Sequence, residues 1–156
     1  MILYLDQNLA GRPLRSALQE LDASVEIRSI AQEGWSTKPD GELAELAAAA
    51  GAKAVITMDS RIKKNPHALA QFAANTVLVC FDYEYNKDPP GIVAAICNAW
   101  PAVLKTLRTV VPGNILTVTL KKGIVHTHNG RAAPGSRLAM LTSVCEFHIP
   151  SLPKQK

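Results

Sequence analysis

Short continuous apolar runs alternate along this chain with stretches in which apolar residues return every three or four positions. These are the marks of buried strands and amphipathic helices. Residues 2–5 form the first run and predict a strand. Pro13 suits the opening turn of a helix to residue 21, which sets Leu14, Ala17, Leu18 and Leu21 on one face. Val25, Ile27 and Ile30 predict a second strand over 24–30, and a loop over 31–38 carries Gly34 and Trp35. Pro39 fits the opening turn of a second helix. That puts Asp40 and Glu42 in the turn, Leu43, Leu46, Ala47 and Ala50 on the core side, and Gly51 at the end. Residues 54–58 are the third strand.

Asn65 can cap a third helix with Pro66 at its first position, running through Leu69, Phe72 and Ala73. The uninterrupted run TVLVCF at 76–81 reads as a strand covered on both faces. Asp88-Pro89-Pro90-Gly91 breaks the chain before a long apolar helix over 92–109, which Pro101 should kink or split. Residues 115–120 and 124–128 predict edge strands, joined as a hairpin about Lys122-Gly123. Strands and helices that alternate in this way demand a parallel sheet with right-handed crossovers. The expected fold is therefore α/β, a three-layer α/β/α Rossmann-like arrangement on a mainly parallel sheet. The expected domain spans 1–128, and 129–156, richer in Pro, Gly and Ser and without periodicity, is expected to be a poorly structured basic extension.

Charge sharpens that division. The net charge of +4 is unevenly placed: up to Leu120 there are 11 Lys/Arg against 12 Asp/Glu, and from Lys121 onward 6 basic residues against Glu146 alone. The basic character belongs to the extension, where it suits either solvation or an acidic partner such as nucleic acid. Three cysteines without CxxC spacing point away from a disulfide scaffold or zinc site and towards a reducing compartment, with the cytoplasm expected. The longest apolar stretches fall far short of the ~20 residues of a membrane span. The opening MILYLDQN lacks the basic region of a secretory signal.

The candidate chemistry lies where strands end. Asp6 follows the first strand, where it also suits a turn or helix cap, Asp59 follows the third, and Asp40 opens the second helix, where acids suit the N-terminus in any case. In an open parallel sheet these positions share the edge at which ligands bind. Carboxylates gathered there repel one another unless cations neutralise them, and oxygen ligands suit Mg²⁺ or Mn²⁺. Arg61, Lys63 and Lys64 follow Asp59 and would hold substrate phosphates, or else form an ordinary solvated run. Asp82 ends the fourth strand on the same edge, where turn chemistry also explains it, and Asn8 suits a helix cap as well as a site. Glu42 and Glu45 fit a solvated helix face, though Glu42 is within reach of the rim. Cys80 belongs to a buried strand, and Trp35 is expected to fold back on the core. His126 and His128 share a strand face without a further ligand near in sequence, and His67 and His148 are isolated. No dinucleotide or P-loop glycine pattern occurs.

LDQN at 5–8, KPDGEL at 38–43 and above all VITMDSRIKKNP at 55–66 resemble the PIN domain superfamily, near the compact VapC-type toxin ribonucleases. The likeness covers roughly residues 1–120. It implies a Mg²⁺- or Mn²⁺-dependent endoribonuclease, commonly the toxin of a bacterial toxin–antitoxin pair. It also implies an antitoxin partner and a homodimer; the short apolar stretches separately predict no membrane association. Carried over by position, Asp6, Asp40 and Asp59 match the acidic metal ligands and Asn8 a polar residue beside the first acid. The fourth acid of the family is represented only by Asp82 or Glu42. Two competitors stand beside this reading: a degenerate PIN-like module that binds RNA or protein without cutting, and a receiver-like domain with Asp59 as phospho-acceptor.

Overall fold

The computed structural model describes residues 1–59, 61–82, 89–119 and 124–129. Six strands form one sheet in the order β2-β1-β3-β4-β5-β6: β1 (Ile2–Leu5), β2 (Glu26–Ser29), β3 (Ala52–Thr57), β4 (Val77–Asp82), β5 (Asn114–Thr119) and β6 (Ile124–Asn129). The first five are parallel, and β6 pairs antiparallel to β5, with His126 opposite Thr117 and His128 opposite Ile115. Four α-helices connect them among the described residues: α1 (Arg12–Leu21), α2 (Asp40–Ala49), α3 (Pro66–Asn75) and α4 (Pro89–Thr109). The expected α/β/α architecture is what the chain adopts.

The alternating side chains of the strands build two separate cores. On one face Leu3, Leu5, Ile56, Val79, Phe81, Leu116 and Val118 pack with Leu14 and Leu18 of α1 and Ile96, Trp100, Val103 and Leu107 of α4. On the other, Tyr4, Val55, Leu78 and Cys80 meet Leu43, Ala44 and Ala47 of α2 and Ala68 and Phe72 of α3. Strands buried on both faces read as unbroken apolar runs, which is why β3 and β4 were so plain in the sequence. α1 and α2 lie on opposite faces, and the chain passes from β1 outward to β2, then back across β1 to β3. That reversal opens a crevice at the carboxyl ends of β1 and β3.

Local chemistry sets the helix starts. The Asn65 side chain accepts from His67 N and Ala68 N at 3.1 and 3.2 Å, with Pro66 in the first turn, as expected. At α2, Pro39 is the N-cap and does not enter the helix, and no side chain caps the first turn. Gly51, at φ 75°, leads from the end of α2 into β3.

Three expectations change. Residues 7–9 and 62–64 form short 3-10 turns that no periodicity foretold. α4 begins at Pro89, three residues early, and runs through Pro101 as one element. Pro101 is exposed while Trp100, Val103 and Leu104 face inward, so the ring sits on the helix's solvent side. The hairpin turn expected at Lys122-Gly123 and the extension from residue 130 onward lie outside the described residues. No helix among the described residues is long and apolar enough to cross a membrane.

Candidate active site

Asp6 leaves β1 as its backbone N–H donates to Ile56 O at 2.9 Å, one more rung of the β1–β3 ladder. Its side chain is shared between two roles. Oδ1 accepts from Gln7 N at 2.7 Å and so caps the 3-10 turn, while Oδ2 accepts from Thr57 Oγ1 at 2.7 Å. Thr57 is 1% exposed, and its hydroxyl is the hub of the rim. It donates to Asp6, accepts the Asp59 backbone N–H at 2.9 Å, and accepts Asn8 Nδ2 at 3.4 Å. Asn8 closes the loop by accepting Met58 N through Oδ1 at 3.4 Å. Asn8 therefore serves neither as the N-cap of α1 nor as a free polar group. It ties the turn after β1 to the end of β3.

Thr57 is the residue the sequence did not single out. The only signal was a hydroxyl at the end of an apolar strand, two positions before an acid.

Asp59 stands at the exit of β3 with its side chain 22% exposed. Arg61 Nε reaches both carboxylate oxygens, at 2.9 and 3.1 Å, and Nη2 reaches Oδ2 at 2.7 Å. The Arg61 backbone N–H adds a fourth bond at 2.9 Å. This forked pairing holds the Asp59 carboxyl below the usual carboxylate range, despite some opposing burial.

Asp40 behaves in the opposite way. Burial pushes its carboxyl up, and the negative fields of Asp6 and then Asp59 push further, against a downward pull from Arg61. Asp40 thus lies within the electrostatic reach of both Asp6 and Asp59. The close approach of α2 to α3 holds Asp40 there. Gly41 is buried where a Cβ would overlap the amide of Gln71, so the helices meet at a residue without a side chain.

The remaining expected residues are placed around this centre. Lys63 turns away from Asp59 to Asp82, at 3.5 Å, which sets that pair on the neighbouring strand end. Lys64 is exposed. Glu42 pairs with Lys38 at 2.5 Å along the surface of α2, and Glu45 is exposed. Trp35 folds back as expected, stacking on buried Tyr4 with ring centroids 5.2 Å apart. Cys80 is buried in β4 and burial pushes its thiol up to about 12, so it is an inert core residue.

A cleft lies on each side of the rim. One, of about 580 Å³, opens between α2 and α3 and is lined by Lys38, Asp40, Asn65, His67 and Gln71. The other, of about 270 Å³ and more apolar, is lined by Asn8, Leu9, Pro13, Met58 and Ile92.

Residues 1–82 match the family described as PIN like domain. The chain belongs to the PIN-like domain family. No curated protein and no solved structure matches it. The matched span of this PIN-like domain takes in every acid of the rim, from Asp6 to Asp82.

The donor chemistry of the rim fits a hard divalent cation, being made of carboxylate oxygens whose mutual repulsion such a cation would relieve. As the side chains stand, no three His, Cys, Asp or Glu residues among the described ones close into a ready cage. The guanidinium of Arg61 meanwhile supplies the positive charge at Asp59.

Proposed function

We propose that this PIN-like domain is a divalent-metal-dependent endoribonuclease that hydrolyses RNA phosphodiester bonds at the crevice between β1 and β3. The observation that supports it is the join at the ends of β1 and β3, where the Thr57 hydroxyl binds the Asp6 carboxylate and the Asp59 backbone inside the span that matches the family, with the Asp40 carboxyl raised by burial and by those two acids beside it. Groups whose ionisation is perturbed by specific partners at a cleft mark functional sites. Asp6, Asp40 and Asp59 would hold Mg²⁺ or Mn²⁺, with Asp82 the fourth acid of the rim. The bound cation would polarise the phosphate and supply a hydroxide from water.

The chain's own residues do the rest. Thr57 holds the Asp6 carboxylate and the Asp59 backbone, and Asn8 braces Thr57 and Met58 N. Arg61, Lys63 and Lys64 offer cations to the backbone of a bound strand, and the cleft beside Asp40 has room for a nucleotide. The toxin role implied by the sequence likeness would place a small inhibitory protein over this rim.

A second reading, a PIN-like module that binds without cutting, draws on the Arg61–Asp59 fork, since a permanently occupied Asp59 could not serve a metal. Calorimetric titration of Mn²⁺ into the wild type and Asp59→Asn, with cleavage of mixed RNA in parallel, separates the two. Metal binding and cutting that are both lost in Asp59→Asn, with circular dichroism unchanged, support the nuclease. Cutting at the wild-type rate in that variant would sink it.

A further inference from the structure

Arg61 is an unusual partner for a residue at the centre of a site. Its side chain is 87% exposed, yet every side-chain hydrogen bond it makes among the described residues goes to Asp59. Asp59 Oδ1 takes Arg61 N and Nε, and Oδ2 takes Nε and Nη2. A carboxylate oxygen offers two lone-pair directions, so both oxygens are turned fully to the arginine. A cation that enters at Asp59 must first displace the guanidinium. Exposed ion pairs are weak, so the displacement is easy given a better partner for the arginine. A phosphodiester strand is such a partner, because the two non-bridging oxygens of each phosphate match the same fork and successive phosphates offer it repeatedly.

We propose that Arg61 is an internal counter-ion for the acidic rim, closing Asp59 to divalent cations until a phosphodiester draws the guanidinium away. This rests on the metal-dependent reading of the rim. It makes Arg61 a positioning residue that couples substrate to metal. RNA tightens cation binding and, by thermodynamic reciprocity, the cation tightens RNA binding. The idle protein then carries its own positive charge at Asp59 and binds metal more weakly without substrate than with it.

The test is Mn²⁺ titration by calorimetry into the full chain as wild type, Arg61→Ala, Arg61→Lys and Asp59→Asn. Arg61→Ala should tighten Mn²⁺ binding by roughly tenfold, a typical coupling between sites. Arg61→Lys keeps the charge and loses the fork, so it should tighten binding too, by less. Both variants should fold, since the side chain is almost wholly in water. Arg61→Ala should also weaken RNA binding measured with Mn²⁺ present.

Mn²⁺ affinity in Arg61→Ala equal to or below the wild type overturns the proposal. So does an Arg61→Lys protein that binds like the wild type, which would mean that charge alone acts and the fork does nothing. Asp59→Asn separates this failure from a deeper one. If it abolishes binding while the arginine variants change nothing, the metal site stands and the counter-ion role falls. If it binds Mn²⁺ as the wild type does, the metal reading falls with it.

Discussion

The Thr57 hydroxyl joins Asp6 to the backbone of Asp59, so the ends of β1 and β3 behave as one hydrogen-bonded unit. Asp40 lies outside that unit and meets the other acids only through their charge. Its titration is accordingly the most sensitive reporter of the rim. The folded-state pKa of Asp40 is raised above its ordinary 3.8. Its ionised form therefore opposes folding above the folded pKa, and that opposition is relieved as pH falls through it. Asp59 runs the other way, since the Arg61 bonds lower its pKa. Its stabilising share is present above the unfolded value and is lost as pH falls through the lowered one. Acid should thus protonate Asp40 before Asp59. Carboxyl-carbon NMR should show that order, and Asp59→Asn should bring the Asp40 midpoint down. The reverse order, or an unmoved Asp40, would contradict the shared field. Position at a strand end made these acids visible in the sequence. The fork and the hub were not visible, because they depend on how the end of β3 turns and on its register with β1.

Among the elements, α3 shows how much a short cap decides. Asn65 satisfies two backbone donors that the helix itself cannot, and it does so directly after the 3-10 turn that carries Lys63 and Lys64. Asn65→Ala should destabilise the protein by about 1 kcal/mol. Urea unfolding reads this directly, and an unchanged midpoint would show that the cap adds nothing to packing already in place. Asn65-Pro66 announced the start of α3 because both residues act locally. For α4 only the split offered at Pro101 is overturned, for the converse reason. Proline breaks a helix whose neighbours cannot absorb the lost bond, but Pro101 lies on the solvent side of a helix pinned by Ile96, Trp100, Val103 and Leu107. The 3-10 turns were invisible because three residues carry no period.

At the scale of the whole molecule, the two cores are unequal in what they risk. Trp100 is wholly buried between α4 and the sheet, and its indole N–H has no partner among the described residues. Trp100→Ala should cost about 3–5 kcal/mol through the cavity it leaves. Trp100→Phe removes the unpaired donor along with the volume, so the two effects oppose each other and the loss should stay near 1 kcal/mol. Thermal unfolding of both variants checks this, and a loss in Trp100→Phe as large as that in Trp100→Ala would contradict it. Trp100 also lies beyond residue 82, where the family match ends. So do Val103, Leu107, Leu116 and Val118, which cover Leu3, Leu5, Ile56 and Phe81. Cut at residue 82, the chain would keep all four rim acids but leave α1 as the only helix over one face of its sheet, with much of that face open to water. The stretch that carries the candidate site is thus expected not to fold alone. Any attempt to transplant this site must take the following helix and strand with it.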